Sequence, residues 1–281
     1  MVIIQKRVGQ LGNQLFTMAH FAAAAVEHDY RVVFPCFEHP LKYFPNINSD
    51  RRFRVLQSSD KMNRTLHRSL KLLRILARKS PWHECHLAEE PPFMDIGDED
   101  FAVKARKKFI ACEGFGFRDA KSVMKHHRLL AEIFRFSEPI QKTTCEFIRT
   151  QKLHGDAVVV GFHIRRSDYR TYRNGEYFYG DDSWLAWINQ ARSVFNSGNR
   201  RFVGVIFSDE KVDELIGSNR DLIPGPGGIY EDLLMLSKCH YILGPPSTFS
   251  GWASFIGRVP LLHLKKADIQ VESDHFDIVQ W

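Results

Sequence analysis

The segment GFHIRRSDYR, residues 161 to 170, sets Arg165 and Arg166 beside His163 and Asp168 at the exit of an apolar run. A guanidinium is always charged and presents a planar fork of donors, so it can grip a diphosphate and neutralise a departing phosphate without a metal. The competing reading is an interdomain salt bridge with Asp168, a residue that could also act as a base. The strand-end position, the nearby Gly161 and His163 and the basic charge balance favour phosphate. Strand alternation sends His163 and Arg165 one way and Arg166 the other. Arg165 is therefore the expected diphosphate ligand, and Arg166 positions the loop.

Three further segments carry polar groups where loops should follow strands. PSTFSGW gathers Ser247, Thr248, Phe249 and Ser250 at a helix start, which suits an anion through unpaired amides and the helix dipole, or is an ordinary N-cap. Asp209 in FSDE could accept the paired N1 and N2 donors of guanine, or cap the next helix. GQLGNQLF offers Gln10, Gly12, Asn13 and Gln14, but Phe16 occupies the third glycine position of the dinucleotide fingerprint, which disfavours nicotinamide. The segments GWAS and GEYFYGDDSW supply aromatics of the kind that pack on sugar faces, with Trp184 and Trp187 read as core from their helical spacing. The acids Asp181 and Asp182, and Asp98 to Asp100, follow no apolar strand and read as loop or helix-cap groups, so no metal is assigned.

The elements that must position these groups alternate clearly in the second half. Strands are expected at 157–162, 201–207, 241–243 and 259–264, with helices at 183–195, 210–216, 230–237 and 248–256 and a loop at 223–228. This is a doubly wound, Rossmann-like half. The first half opens alike, with a strand at 2–7, a helix at 14–27 and a strand at 31–34. Its pattern then fades into helices expected at 66–77, 120–134 and 139–151 and a loop at 87–100. The length of 281 residues implies two domains, 1–152 and 153–281, with a cleft between them.

A net charge of +6 and a pI near 9.0 favour acidic partners. No recognisable module interleaves basic and aromatic residues, so nucleic acid is not expected. The five cysteines are scattered without metal spacing, and no signal peptide or membrane span is read, as expected of a reduced, cytoplasmic protein. The basic segment 63–79 reads as an amphipathic helix packed on its own domain. A second reading sets it against an anionic membrane carrying a lipid-linked acceptor.

Taken together, GQLGNQLF, HIRRSDY, FSDE and STFSGWAS closely resemble the bacterial α-1,2-fucosyltransferases of glycosyltransferase family 11, in order and spacing over nearly the whole chain. Similar motifs occur in α-1,6- and protein O-fucosyltransferases, so the resemblance bears on the donor more firmly than on the linkage. It implies a GT-B fold of two Rossmann-like domains, GDP-β-L-fucose as donor, inversion at the anomeric carbon and no metal cofactor. The implied acceptor is the 2-hydroxyl of a terminal β-galactoside on an oligosaccharide. Arg165 carries over as the β-phosphate contact, His163 and Asp209 as guanine or ribose contacts, and Ser247, Thr248, Phe249 and Ser250 as further donor contacts. Gln10, Gly12 and Asn13 would face the fucose and acceptor across the cleft. The resemblance leaves the base open, with Asp168 the first candidate and His163 the second. It also implies a cytosolic bacterial enzyme acting on glycan precursors. A fucosyltransferase of another linkage and a sugar-nucleotide-binding module without catalysis are the alternatives.

Overall fold

Short apolar runs such as VII and AVVVGFHI cannot make stable helices, and their branched side chains favour buried parallel strands. In the computed structural model they do so in two compact units, Met1–Ser137 with Gln280, and Glu138–Val279. The structure describes residues 1–5, 9–57, 65, 83–88, 92–196, 200–217 and 219–280.

The first unit runs β1 (Val2–Ile4), α1 (Leu11–His28), β2 (Val32–Phe37), β3 (Phe53–Gln57), β4 (His83–Leu87), β5 (Met94–Asp95), α2 (Glu99–Lys107), β6 (Phe109–Glu113), β7 (Phe117–Arg118), α3 (Ala120–Lys125) and α4 (His127–Ile133). Its main sheet has the order β3-β2-β1-β6-β4 and is parallel throughout, with β5 and β7 as a separate pair. Helix α1 is buried along most of its length, including Ala22 to Ala25, because small side chains let it lie close to its neighbours. It starts at Leu11, three residues before the expected Gln14.

Several expectations for this half change. The helix expected at 120–134 is two helices, broken where His126 leaves helical geometry at φ −98 and ψ 18. The expected loop 87–100 contains β5 and the start of α2, where the Asp98 carboxylate accepts from the amides of Asp100 and Phe101 at 3.0 and 3.4 Å. The helix expected at 66–77, with its membrane reading, lies outside the described residues.

The second unit runs α5 (Glu138–Thr150), β8 (Ala157–Ile164), α6 (Asp181–Phe195), β9 (Arg201–Ser208), α7 (Asp213–Gly217), β10 (Leu222–Pro224), α8 (Ile229–Leu236), β11 (Tyr241–Gly244), α9 (Thr248–Gly257) and β12 (Leu261–His263). Helix α5 belongs to this unit, whereas the spacing expects it to close the first. The sheet order is β10-β9-β8-β11-β12, again all parallel. The expected loop 223–228 begins inside β10, an edge strand where Pro224 removes no needed hydrogen bond. Trp184 and Trp187 are core, packed edge to face at 5.4 Å, and Trp187 Nε1 donates to the carbonyl of Ile269 at 3.0 Å. Trp252 is also buried, which withdraws the GWAS tryptophan from any sugar-stacking role.

This strand order decides where a ligand can sit. From β8 the chain winds outward to β9 and β10, then returns on the other side through β11 and β12. Loops leaving β8 and β11 therefore part at the carboxyl edge, and that reversal opens a crevice beyond the strand ends. In the first unit the same reversal lies between β1 and β6. Among the described residues, no helix is long and apolar enough to cross a membrane.

Candidate functional site

Strand β8 is buried from Ala157 to Ile164, and its last residues bring polar groups to the crevice. The His163 ring lies 5.1 Å from the Phe249 ring of α9, tilted by 30°. Burial, then the charge of Arg165, push the imidazole pKa down to about 3, so the ring is neutral. Its Nδ1 is buried with no hydrogen-bond partner. Gly244, at the end of β11, permits this approach, since a Cβ there would stand 3.1 Å from the His163 Cβ and carbonyl oxygen.

The two arginines diverge. Arg165 Nε and Nη2 donate to the two carboxylate oxygens of Asp168 at 2.9 and 3.0 Å, and Nε lies 3.4 Å from Asp209 Oδ2. Burial works against this charge, but the hydrogen bonds and charge of Asp168, with the charge of Asp209, hold its pKa above the ordinary value. Arg166 turns the other way and pairs with Asp181 in the first turn of α6. Asp181 and Asp182 are thus helix-start acids, as their spacing suggests.

Asp209 braces the β8 loop from β9. Its Oδ1 accepts the Arg166 amide at 2.9 Å and its Oδ2 accepts the Ser167 hydroxyl at 2.5 Å. Burial opposes ionisation, yet these two donors and the charge of Arg165 keep its pKa below the usual carboxylate value. The helix-cap reading does not hold, because α7 begins only at Asp213.

Opposite, α9 opens on Ser247, whose hydroxyl accepts the Phe249 amide at 3.2 Å as an N-cap. The Ser250 hydroxyl is fully buried and donates back to the Ser247 carbonyl at 3.3 Å, while Thr248 is half-buried. One residue ties the two loops together: Tyr169 Oη donates to the carbonyl of Pro246. Thus His163, Arg165, Arg166, Asp168, Asp209 and the 247–250 turn gather at one edge of one sheet.

Gln10, Gly12 and Asn13 stand in the first unit, where β1 gives way to α1. Gln10 is the N-cap position without a side-chain cap bond, and Gly12 is buried. Gly9 has φ +57, a left-handed conformation that strains most side chains, and a Cβ there would crowd the Asn13 side chain. Gln14 is fully buried, with Nε2 donating to the Gly9 carbonyl and Oε1 unpartnered.

No protein-family model and no curated protein matches the chain. Solved structures do. Fucosyltransferase NodZ from Bradyrhizobium aligns with TM-score 0.59 and 14% identity over 94% of each chain. Arabidopsis thaliana FUT1 in complex with GDP aligns with TM-score 0.62 and 11% identity, over 98% of this chain and 72% of that one. POFUT1 in complex with GDP-fucose aligns with TM-score 0.52 and 15% identity, over 91% and 93%. The chain has their GT-B fold.

Within this fold, two functional candidates escape the motif reading. Tyr169 looks like one tyrosine among several in a polar loop, and only the structure shows it bridging to Pro246. Asp232, in the first turn of α8, looks like a surface acid, yet burial raises its pKa to about 6 while Oδ1 accepts the Gly227 amide at 2.8 Å. Nothing local in the sequence marks either residue.

Proposed function

We propose that the protein transfers L-fucose from GDP-β-L-fucose to an acceptor glycan, at the 2-hydroxyl of a terminal β-galactoside. The observation that carries this reading is the half-buried, forked Arg165 at the reversal of the second sheet, on a loop that Tyr169 ties to Pro246, just before the capped start of α9. The GT-B likeness supports it, since NodZ soaked with GDP-fucose and POFUT1 with GDP-fucose share the fold. The motif resemblance supports the α-1,2 linkage.

In this reading the donor diphosphate takes the place of Asp168 on Arg165. Asp168 is the more exposed partner, with 51% of its side chain accessible against 21% for Asp209, so it is the one to yield. The bond between the anomeric carbon and the β-phosphate oxygen then breaks, its electron pair leaving on GDP. Arg165 and the amides of the 247–250 turn stabilise that charge, a contribution of about 3 kcal/mol or roughly a hundredfold in rate for one such donor. The acceptor oxygen bonds the anomeric carbon from the opposite face, giving inversion, and its proton passes to a base. Asp168, freed from Arg165, fills that role. Asp209 and His163 shape the nucleotide side, and Gln10, Gly12 and Asn13 serve the fucose and acceptor. No metal is required by this scheme.

The test is GDP release from GDP-fucose with and without a terminal β-galactoside, in EDTA, for the native protein and Arg165→Ala. Acceptor-dependent release that falls about a hundredfold in the variant supports the scheme. Full activity in the variant removes Arg165 from it, and donor binding without turnover points to a binding module. Cleavage of the product by a linkage-specific fucosidase reads out the bond formed.

A further inference from the structure

The loop that follows β6 holds an arginine outside the site just described. Gly114, at φ +114, turns the chain so that Arg118 of β7 lies between two rings, 4.3 Å from the centroid of Phe115 and 4.5 Å from that of Phe93. Its Nη1 donates to the carbonyls of Phe115 and Phe117. Among the described residues neither Nε nor Nη2 has a hydrogen-bond partner, and neither is fully buried.

A half-buried guanidinium normally brings a carboxylate with it, because desolvating a lone charge is costly. Here burial lowers the pKa of Arg118 to about 10, and among the described residues no acidic neighbour offsets it. The adjacent Asp119 is engaged elsewhere: Oδ1 accepts the Ser122 amide at 2.9 Å and Oδ2 lies 3.8 Å from His28. The field of Arg118 still reaches His20, whose pKa is pushed down to about 3 by burial and then by that charge. A cation with no counter-charge among the described residues, held between two rings and with Nε and Nη2 unpaired there, is a receptor for a planar or tetrahedral oxyanion.

We infer that Arg118 anchors an anion site at the carboxyl edge of the first sheet, taking a carboxylate or phosphate carried by the acceptor glycan. The rim is apolar, with the Phe93 ring 49% exposed, which suits the hydrophobic face of the sugar bearing the charge. The assignment to the acceptor rests on the proposed transfer reaction, whereas the anion site itself rests on Arg118.

Two measurements on the full chain separate these. First, the native protein, Arg118→Lys and Arg118→Met are titrated with inorganic phosphate and with methyl glucuronide, following the arginine Nε–H resonances and melting temperature. At least a tenfold loss of affinity in Arg118→Met, with Arg118→Lys intermediate, is expected from losing one charge-assisted fork. Absence of binding to both probes in the native protein, or equal binding by a folded Arg118→Met, overturns the site, and if Arg118→Met does not fold, Arg118→Lys decides. Second, KM is compared for N-acetyllactosamine and for the same disaccharide carrying a phosphate or a carboxymethyl group. An Arg118→Lys penalty confined to the charged acceptors supports the assignment and shows which anion is read, and an equal penalty on the neutral one overturns it. Anion binding without any GDP-fucose turnover would sink the transfer reading while leaving the anion site standing.

Discussion

Asp168 accepts hydrogen bonds from Nε and Nη2 of Arg165, one on each carboxylate oxygen, at 2.9 and 3.0 Å, and it is the more exposed member of the pair. On the proposed reading, the fork meant for the diphosphate is occupied by a carboxylate that the donor displaces.

Asp168→Asn should therefore separate binding from turnover. An amide competes poorly for a guanidinium, so GDP should bind a few-fold more tightly, by roughly 1 kcal/mol or less for an exposed partner. Acceptor-dependent turnover should fall by about a hundredfold or more if the freed carboxylate takes the proton. Calorimetric titration with GDP beside initial-rate measurements checks both, and weaker GDP binding would show that Asp168 orients Arg165 rather than competing for it.

Tyr169→Phe should loosen the two loops at the sheet reversal. The hydroxyl lost is the donor to Pro246 in a buried setting where burial pushes the phenol pKa up to about 12. Leaving that carbonyl unpaired should cost about 1 to 2 kcal/mol of stability. GDP affinity should weaken as well, because His163 and the 247–250 turn would lose their fixed separation. Thermal melts with and without GDP check this, and an unchanged GDP-induced shift would argue against the bridge.

Asp232 gives a pH dependence whose sign can be worked out. Its carboxyl has a folded pKa of about 6 against 3.8 for the reference value, and burial is the main cause. Such a group favours folding while protonated, so its contribution is complete below the lower value and is lost as pH rises through about 6. The amount at stake is at most roughly 3 kcal/mol. Asp232→Asn keeps an acceptor for the Gly227 amide and removes the titration. The variant should gain stability relative to the native protein between pH 4 and 7, read from denaturant melts, and a difference constant over that range would refute the assignment.

Much of the second unit is legible in the sequence because its strands are continuous apolar runs and its helices keep their period. The loops that follow such strands must hold the polar ligands, and HIRRSDY, FSDE and STFSGW announce themselves there. The first unit is less legible. FRVLQ and FIACE mix polar residues into short strands, and two-residue β5 and β7 are too brief to carry any period. Local pattern cannot reveal a strand whose stability comes mainly from its neighbours.

What the sequence by itself determined was the chemistry available at each loop: the arginine fork, the serine cap, the glycine turn. Only the tertiary structure decided which groups are already taken. It puts Asp209 under the β8 loop rather than at a helix cap, turns Arg166 onto Asp181, half-buries Asp232 and leaves Arg118 without a counter-charge among the described residues. The physical reason is that partners and desolvation are set by residues tens of positions apart in the chain, and a carboxylate or guanidinium acts according to that surrounding as much as its own identity.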